Sequence, residues 1–487
     1  MSKTIEERLT LFDTYLERTG MDKKQYQYDG VRWILNNELR DDPVQNIRGG
    51  IIADEMGLGK TIMMIGTMLC NFVPKTLVVV PPVLIDQWFV QIYRTTGHKA
   101  LIYHGEEKKN TTLEDLQEAK IVICTYAAVT LTRDQIANRE LSDLHKIQWS
   151  RLVFDEAHHL RNAGTTRYFG VRILQANIRW LVTGTPIQNR KKDFYNLCNI
   201  LRLPASFYTD IDALKLQARE FILKRTKKQV GIQIADLFIG KNLVNWQNVK
   251  EKELSEELHS ALKFSSARSK SDQIVSAFSG SGFALPIILR ARQSCIYPKL
   301  MAGQLNKLVE AGIMSDYTQY KEAFNCSSKL DYAVKKILDR KDNGCGKIIF
   351  CHFREEIDEI ATRLRSGGMT KVATLDGRTS NGKRFDVLND KNDALILQIQ
   401  TGCEGLNLQE NYSEIYFISP HWNPAVEDQA IARCHRIGQT KTVYVERFEM
   451  CSFMYDDQEV PSMTVDNYVT SVQDDKRAIA DKIINDN

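Results

Sequence analysis

The sequence has almost no net charge. Its 487 residues hold 65 Lys and Arg against 61 Asp and Glu, a formal +4. The overall charge therefore says little about partners. No CxxC pair occurs among the ten cysteines, which excludes a zinc ribbon or RING-type insert. Their scatter along so long a chain gives no disulfide framework, so reduced thiols and an intracellular protein are expected. No apolar run reaches the length of a membrane span, and the longest, around Leu77–Ile85, contains Pro81 and Pro82. The opening MSKTIEERLT has no apolar signal core, so secretion is not expected. Fixed-period repeats and long low-complexity tracts are also missing. What remains is ordinary globular usage, 43% hydrophobic and 26% charged, which rules out a disordered or fibrous chain.

The length suggests two to three domains at about 150 residues each. Charge is unevenly spread along them. Residues 161–230 carry 14 Lys and Arg against 4 Asp and Glu, and the last 37 residues carry 3 against 8. The basic stretch could attract a polyanion, although most charge clusters are solvated faces.

Two regions read as α/β units. Short β-branched runs alternate with helical stretches at Gly50–Ala53, Thr76–Val80, Ile121–Cys124, Leu152–Phe154 and Trp180–Thr183, and again at Lys347–Phe350, Val372–Leu375, Ala394–Ile399, Glu414–Ile418 and Thr442–Phe448. Such alternation predicts parallel sheets covered on both faces, five strands in each. Residues 200–330 read as mostly helical. Leu254, Leu258 and Leu262 form a stripe four residues apart, and Ser265–Gly282, with seven Ser and two Gly, reads as a flexible loop. The acidic tail ends in a predicted helix, Ser471–Ile484, most simply a brace on the body.

The segment GIIADEMGLGKTI, Gly50 to Ile62, places a glycine-containing loop between a strand and an apolar helix. The loop residues are Asp54, Glu55, Met56, Gly57, Leu58 and Gly59, followed by Lys60 and Thr61. Gly57 and Gly59 let backbone N–H groups converge on one point, and the helix N-terminus adds partial positive charge there. Lys60 can reach the β- and γ-phosphates of a nucleotide, and the Thr61 hydroxyl can ligate Mg²⁺. The pattern is GxxxxGK[ST] with one departure, Asp54 in the place of the first glycine.

Farther on, WSRLVFDEAHHL sets Asp155 and Glu156 at the C-terminal end of a buried strand, where ligands of parallel sheets bind. Asp155 can hold Mg²⁺ and Glu156 can activate the attacking water. Such a pair often only caps the next helix, but its order after Lys60 makes it the second half of a nucleotide-hydrolysing site. In HWNPAVEDQAIARCHRIGQTK, from His421 to Lys441, Arg433 and Arg436 lie three apart. On a helix they share a face, together with Gln429. Planar guanidinium groups suit the charge that spreads over a transferring phosphoryl group.

These motifs, taken in order, resemble the SWI/SNF-type double-stranded-DNA translocase ATPases of helicase superfamily two. The matching segments are YQYDGVRWIL from Tyr26, ADEMGLGKT from Ala53, TLVVVPPVLIDQW from Thr76, VICTY from Val122 and DEAHHLRN from Asp155. LVTGTPIQN from Leu181, FILKRTKKQV from Phe221 and LRARQSCIYPKL from Leu289 follow, then KIIFCHF from Lys347, LDGRTS from Leu375, GCEGLNL from Gly402 and HWNPAVEDQAIARCHRIGQ from His421. Together they cover about residues 21–450. The Asp54 departure is normal in this family.

The resemblance implies two RecA-like lobes with parallel sheets and a helical insertion between them. The implied division is residues 1–220 as an ATP-binding lobe, 221–326 as helical protrusion and linker, 327–450 as the helicase lobe and 451–487 as acidic tail or brace. Lys60, Asp155, Glu156, Arg433 and Arg436 become catalytic. ATP and Mg²⁺ become the ligands, with Gln27 reading adenine, Gln429 beside the arginines, and Thr61 and Asp155 at the metal. Thr183–Pro186 would couple nucleotide to track, and Thr125, Tyr126, Arg378, Thr379, Thr401 and Trp422 fall in segments that face DNA in relatives. Lys224–Lys228 would lie at the base of the protrusions. The implied activity is translocation on duplex DNA by a monomeric motor that displaces bound protein such as a nucleosome, polymerase or repair factor. The place of action is the nucleus, or a viral replication site or virion, since compact members occur in large DNA viruses. DEAHHLRN and CHRIGQ look closest to the DNA-damage-tolerance branch, without its RING insert. Many relatives carry a glycine where Glu404 stands. Two other readings stand beside it: a transcription-linked NTPase that releases polymerase, which uses the same motor so that only partners discriminate, and a catalytically silent nucleic-acid scaffold, which the intact Lys60, Asp155, Glu156, Arg433 and Arg436 argue against.

Overall fold

The computed structural model describes residues 3–185, 191–210, 218–260, 262, 284–310, 312, 314, 316–402, 406–454 and 462–484. The chain divides into two units, Met1–Gln233 with Ile479–Asn487, and Ile234–Ala478. The boundary thus assigns residues 221–233 to the first unit and 234–326 to the second.

The first unit is built on seven parallel strands: β1 (Arg48–Ile52), β2 (Thr76–Val80), β3 (Leu101–Tyr103), β4 (Ile121–Thr125), β5 (Gln148–Asp155), β6 (Gln175–Val182) and β7 (Ile222–Leu223), in the order β3-β4-β2-β5-β6-β1-β7. Successive side chains point to opposite faces, and both faces are buried. Leu77, Val79, Val122, Leu152 and Phe154 enter one core. Val78, Val80, Ile123, Val153 and Val182 enter the other. This is why these strands read as unbroken apolar runs.

Four helices cover the second of these cores, one of them Ile85–Thr96, which buries Trp88 and Ile92 there. Helix α1 (Ile5–Thr19) starts at a capping box, with Thr4 accepting from the Glu7 N–H and Glu7 accepting from the Thr4 N–H, and buries Leu9, Phe12, Tyr15 and Leu16. Helix α2 is Gln25–Leu39, and helix α3, Lys60–Cys70, follows β1 through the glycine loop. A Cβ on Gly66 would stand 2.6 Å from the Phe12 ring, so α1 and α3 meet over a bare backbone. Glu38, at the end of α2, is 3% exposed, and its carboxylate accepts from Arg151 Nε at 2.7 Å, Trp180 Nε1 at 2.8 Å and Asn71 Nδ2 at 2.7 Å. A buried carboxylate is tolerated when it is paired and hydrogen-bonded in this way, and it locks α2 to β5, β6 and the end of α3.

The second unit holds six parallel strands: β8 (Leu237–Val244), β9 (Gly346–Cys351), β10 (Val372–Leu375), β11 (Ala394–Gln398), β12 (Tyr412–Phe417) and β13 (Val443–Met450), in the order β10-β11-β9-β12-β13-β8. Ile349, Cys351, Ile396, Tyr416 and Phe448 pack on one face, and Ile348, Phe350, Leu395, Leu397 and Ile415 on the other. Helix Val249–Ser260 buries Leu254 and Leu258. Helix Val465–Ile484 buries Val465, Tyr468, Val469 and Val472 within this unit, and Asp466 pairs there with Lys329. The serine-rich stretch 265–282 lies outside the described residues. The chain is therefore α/β with two parallel sheets, as its sequence predicts, although each sheet exceeds five strands. β3 and β7 are too short to register as periodic runs. β8, LFIGKNLV, lies in the region read as helical, because its Gly, Lys and Asn mask an edge strand.

Candidate active site

The glycine loop leaves β1 at Ala53 and enters α3 at Lys60. Its last residue, Gly59, has φ 80°, and a Cβ there would stand 2.3 Å from Gln27 Nε2. Glycine is needed at that point for both reasons. Gln27, in the first turn of α2 and 7% exposed, donates to the Leu58 carbonyl at 3.2 Å and so lies across the loop. Lys60 Nζ donates to the Asp54 and Glu55 carbonyls at 2.8 and 3.4 Å, which holds the ammonium over the loop's own backbone.

Asp54, fully buried, forms a two-pronged ion pair with Arg225, whose Nε and Nη2 stand 3.2 and 2.5 Å from its carboxylate oxygens. Arg225 also donates to the Tyr26 carbonyl at 2.5 Å. The backbone beyond β7 continues this pairing. The Ala53 N–H donates to the Leu223 carbonyl at 2.7 Å, and the Glu55 N–H to the Arg225 carbonyl at 2.9 Å. Lys227 closes it, its backbone N–H and its Nζ reaching the Glu55 carboxylate at 2.8 and 3.1 Å. The basic Lys224–Lys228 segment therefore runs along the glycine loop. Arg225 is the residue that sequence reasoning missed: the acid at position 54 was the available signal, since a buried carboxylate requires a cation.

Asp155 ends β5 and is 6% exposed. It accepts from Trp88 Nε1 at 2.7 Å and from the Glu156 N–H at 2.9 Å. Burial, with the Glu156 charge beside it, pushes its carboxyl up to about 6, and Lys60 opposes the rise. Glu156 has φ 50°, a left-handed conformation that is costly for a residue with a Cβ and frequent at functional sites. His158 Nδ1 stands 3.2 Å from its Oε2. Thr183, at the end of β6, is buried and donates its N–H to the Ile52 carbonyl at 3.0 Å. A Cβ on the next residue, Gly184, would stand 3.3 Å from Lys60 Nζ, so this turn abuts the loop lysine. Lys60, Asp155, Glu156 and Thr183 thus gather at the C-terminal edge of one sheet.

These residues fit a magnesium nucleotide. The loop closes at Gly59 with no room for a Cβ, and the Glu156 charge beside Asp155 raises the proton affinity of Asp155, which a divalent cation would relieve.

Two expectations need correction. Thr125 and Tyr126 are 2% and 4% exposed and offer DNA no side-chain surface. Tyr126 instead donates its hydroxyl to the Asp155 carbonyl at 2.7 Å, bracing the acidic turn from below. Arg433 and Arg436 do not share a helical face. The helix Pro424–Ile431 ends before them, and the N–H groups of Arg433, Cys434 and Gln439 close successive tight turns on the carbonyls of Ala430, Ile431 and Arg436. The arginines remain neighbours: burial lowers the Arg436 pKa, and the Arg433 charge adds to the effect. Arg436 donates to Asn407 Oδ1. Gln429 is 5% exposed, and its Nε2 has no hydrogen-bond partner among the described residues.

Of the other residues expected at DNA, Arg378 is exposed and tied to Asp358 and Asp376, at 2.8 and 2.9 Å. Thr379 Oγ1 accepts from the Asp376 N–H at 3.2 Å. Trp422 is half-buried, its ring edge-on to Tyr468 at 6.3 Å. The Thr401 side chain, Pro186 and Glu404 lie outside the described residues. No described helix is long and apolar enough to cross a membrane.

A parallel sheet that ends in a lysine-bearing glycine loop, with an acidic pair and a threonine turn beside it, defines a phosphate-loop nucleotide hydrolase. Residues 26–300 match the SNF2-related domain, and residues 328–438 match the helicase conserved C-terminal domain. The chain belongs to the SNF2-related family of helicase-like ATPases. It is similar to a probable global transactivator of Orgyia pseudotsugata multicapsid polyhedrosis virus, 28% identical over 94% of this chain and 91% of the relative. It is also similar to an ISWI chromatin-remodeling complex ATPase of Saccharomyces cerevisiae, 26% identical over 87% of this chain and 38% of the relative. The chain thus spans most of the viral relative and well under half of the yeast one. Among solved structures, the Sulfolobus solfataricus SWI2/SNF2 ATPase core in complex with double-stranded DNA covers 95% of this chain and 93% of its own at 22% identity, with a TM-score of 0.39.

Proposed function

We propose that the chain is a DNA-stimulated ATPase that moves along double-stranded DNA and displaces or remodels bound protein. The observation that carries the reading is the meeting of Lys60, Asp155 and Glu156 at one sheet edge, with Gln27 across the loop. The loop N–H groups and Lys60 bind the β- and γ-phosphates, and Gln27 reads adenine. Thr61 and Asp155 would hold Mg²⁺, which when bound neutralises phosphate charge. Glu156 orients a water and takes its proton as the oxygen attacks the γ-phosphorus. The bond to the β–γ bridging oxygen breaks, and ADP leaves with that electron pair. Arg433 and Arg436 supply cationic donors for the charge developing on the phosphoryl oxygens, with Gln429 beside them.

Arg378 and Thr379 are the proposed DNA contacts that the second unit exposes, with Thr401 and Trp422 in the same role. Phosphate contacts of this kind are salt-sensitive and indifferent to sequence. The motor acts as a monomer, in the nucleus or, if the chain is viral, at a site of viral replication or in the virion.

The test is ATP hydrolysis measured in parallel without nucleic acid and with duplex DNA, single-stranded DNA and duplex RNA. Duplex DNA is expected to stimulate most, and stimulation by RNA alone would overturn the reading. Lys60→Ala is expected to abolish hydrolysis while DNA binding persists. Undiminished hydrolysis in that variant would remove Lys60 from the site.

A further inference from the structure

At the opposite end of the first sheet, where β1 and β6 begin, a cavity of about 340 Å³ is lined by Asn46, Ile47, Arg48, Asn177, Arg179 and Arg202, with Ala176 and Leu201. Arg48 is the first residue of β1, and the glycine loop follows its last, so this cavity is separate from the nucleotide site. Three of its lining residues are arginines and none is acidic.

Their hydrogen bonds leave the positive charge uncompensated. Arg48 donates to the Glu38 carbonyl at 2.7 Å, while the Glu38 carboxylate is taken by Arg151. Arg202 donates to Gln175 Oε1 at 2.9 Å and to the Leu174 carbonyl at 3.4 Å. Arg179 is 3% exposed and, among the described residues, donates only to the Leu174 carbonyl, at 2.5 Å. Its Nε and Nη1 are buried with no hydrogen-bond partner among the described residues. None of the three pairs with a carboxylate among the described residues. Burial, with the Arg202 charge nearby, lowers the Arg179 pKa to about 10.

A buried guanidinium with unspent donors and no counterion is strongly unfavourable unless something compensates it. Replacing it with an apolar side chain would remove that cost, so the uncompensated charge itself points to an anion. A recess walled by one sign of charge also concentrates ions of the other sign. We propose that this cavity binds a small phosphorylated ligand. Its phosphate is held by Arg202 and Arg48 at the wall, with Arg179 supplying charge from behind. The volume exceeds that of a bare phosphate and falls within the range of small-molecule pockets, and Asn46 and Asn177 suit a polar body on the ligand. Arginine is matched to such a group by its planar, two-pronged donors.

The test titrates inorganic phosphate and pyrophosphate into the full chain by calorimetry, with a non-hydrolysable ATP analogue saturating the glycine loop. Wild type is expected to bind one equivalent. The exposed Arg202→Gln is expected to weaken binding at least about tenfold, the loss that one charge-assisted hydrogen bond carries. Arg179→Lys, which keeps the charge, is expected to lose less than Arg179→Met. ATP hydrolysis without DNA is expected to be unchanged in Arg202→Gln. Absence of binding in wild type, or equal binding in Arg202→Gln, overturns the proposal. Loss of duplex-DNA affinity in Arg202→Gln with pyrophosphate binding intact also overturns it, because the arginines would then serve a nucleic-acid backbone.

Discussion

Arg225→Met tests whether the ion pair with Asp54 sets the shape of the glycine loop. Methionine keeps most of the side-chain length and removes the guanidinium. Asp54 is fully buried, so it would be left as an unpaired carboxylate within the loop that carries Lys60. Breaking a buried pair by deleting one partner costs about 3–5 kcal/mol. The Arg225 side chain retains 17% exposure, which allows some water to reach the pair and favours the lower end, about 3 kcal/mol. The loop can shed part of that cost by turning Asp54 toward solvent, and doing so displaces the Asp54 and Glu55 carbonyls that hold Lys60. Stability and nucleotide affinity should therefore fall together, with the KM for ATP rising by about tenfold or more, equivalent to about 1.4 kcal/mol. The assay is urea unfolding followed by tryptophan fluorescence, alongside steady-state hydrolysis. The double variant Asp54→Asn with Arg225→Met removes the stranded charge and should recover most of the lost stability, giving a coupling of about 2 kcal/mol in the cycle. If Arg225→Met lies within about 0.5 kcal/mol of wild type with unchanged KM, or the double variant is no better than the single, the reasoning is refuted.

Gly59→Ala forces a Cβ into a left-handed backbone at φ 80° and to 2.3 Å from Gln27 Nε2. The backbone term alone costs about 1–2 kcal/mol, so binding of a fluorescent ADP should weaken by about tenfold or more. Adding Gln27→Ala should relieve only the collision, and wild-type affinity in Gly59→Ala would contradict the geometry. In the second unit, burial pushes His259 down to about 4 from 6.5, with Nδ1 bonded to the Ser255 carbonyl at 2.6 Å and Nε2 accepting the Val465 N–H at 2.9 Å. The unfolded state therefore takes up the proton first. The group's contribution is whole above pH 6.5, declines as pH falls toward 4 and levels below it, a loss of up to about 3 kcal/mol. Urea midpoints at pH 7, 5.5 and 4 should fall less steeply in His259→Gln than in wild type, and an equal slope would exclude His259. His421, also lowered to about 4 by burial, should keep part of the slope in that variant.

Most strands that sequence reading located are buried on both faces, such as Thr76–Val80, which matches without shift, although the half-buried edge strand Val372–Leu375 was located too. A central parallel strand has no polar side to disguise it. The strands it missed are at or near sheet edges: β7 is two residues long, and β8 carries Gly240, Lys241 and Asn242 in its middle. At the site, the loop and the acidic turn were legible because each needs its residue types in fixed local order. Arg225 was not, because 171 positions separate it from Asp54, and nothing local marks an arginine as a buried counterion. The arginine turn after Ile431 was misread for the opposite reason: a three-residue spacing suits a helix face, but it suits consecutive tight turns equally.

The two ends of α2 explain how the first unit keeps its site in register. Gln27 lies in the first turn and Glu38 in the last, roughly 16 Å apart along the axis at 1.5 Å per residue. Glu38 bonds to Arg151 and Trp180 near the middle of β5 and β6, the strands that present Asp155 and Thr183 at their far ends. Gln27, Asp155 and Thr183, the first two proposed to meet adenine and metal, are thus referred to a single buried carboxylate. Lys60, by contrast, is held by loop carbonyls that a phosphate must replace. Nucleotide binding then exchanges neutral acceptors for charged ones at one lysine while the frame around it stays fixed. The exchange is favourable because the ammonium then meets full negative charge in place of carbonyl dipoles.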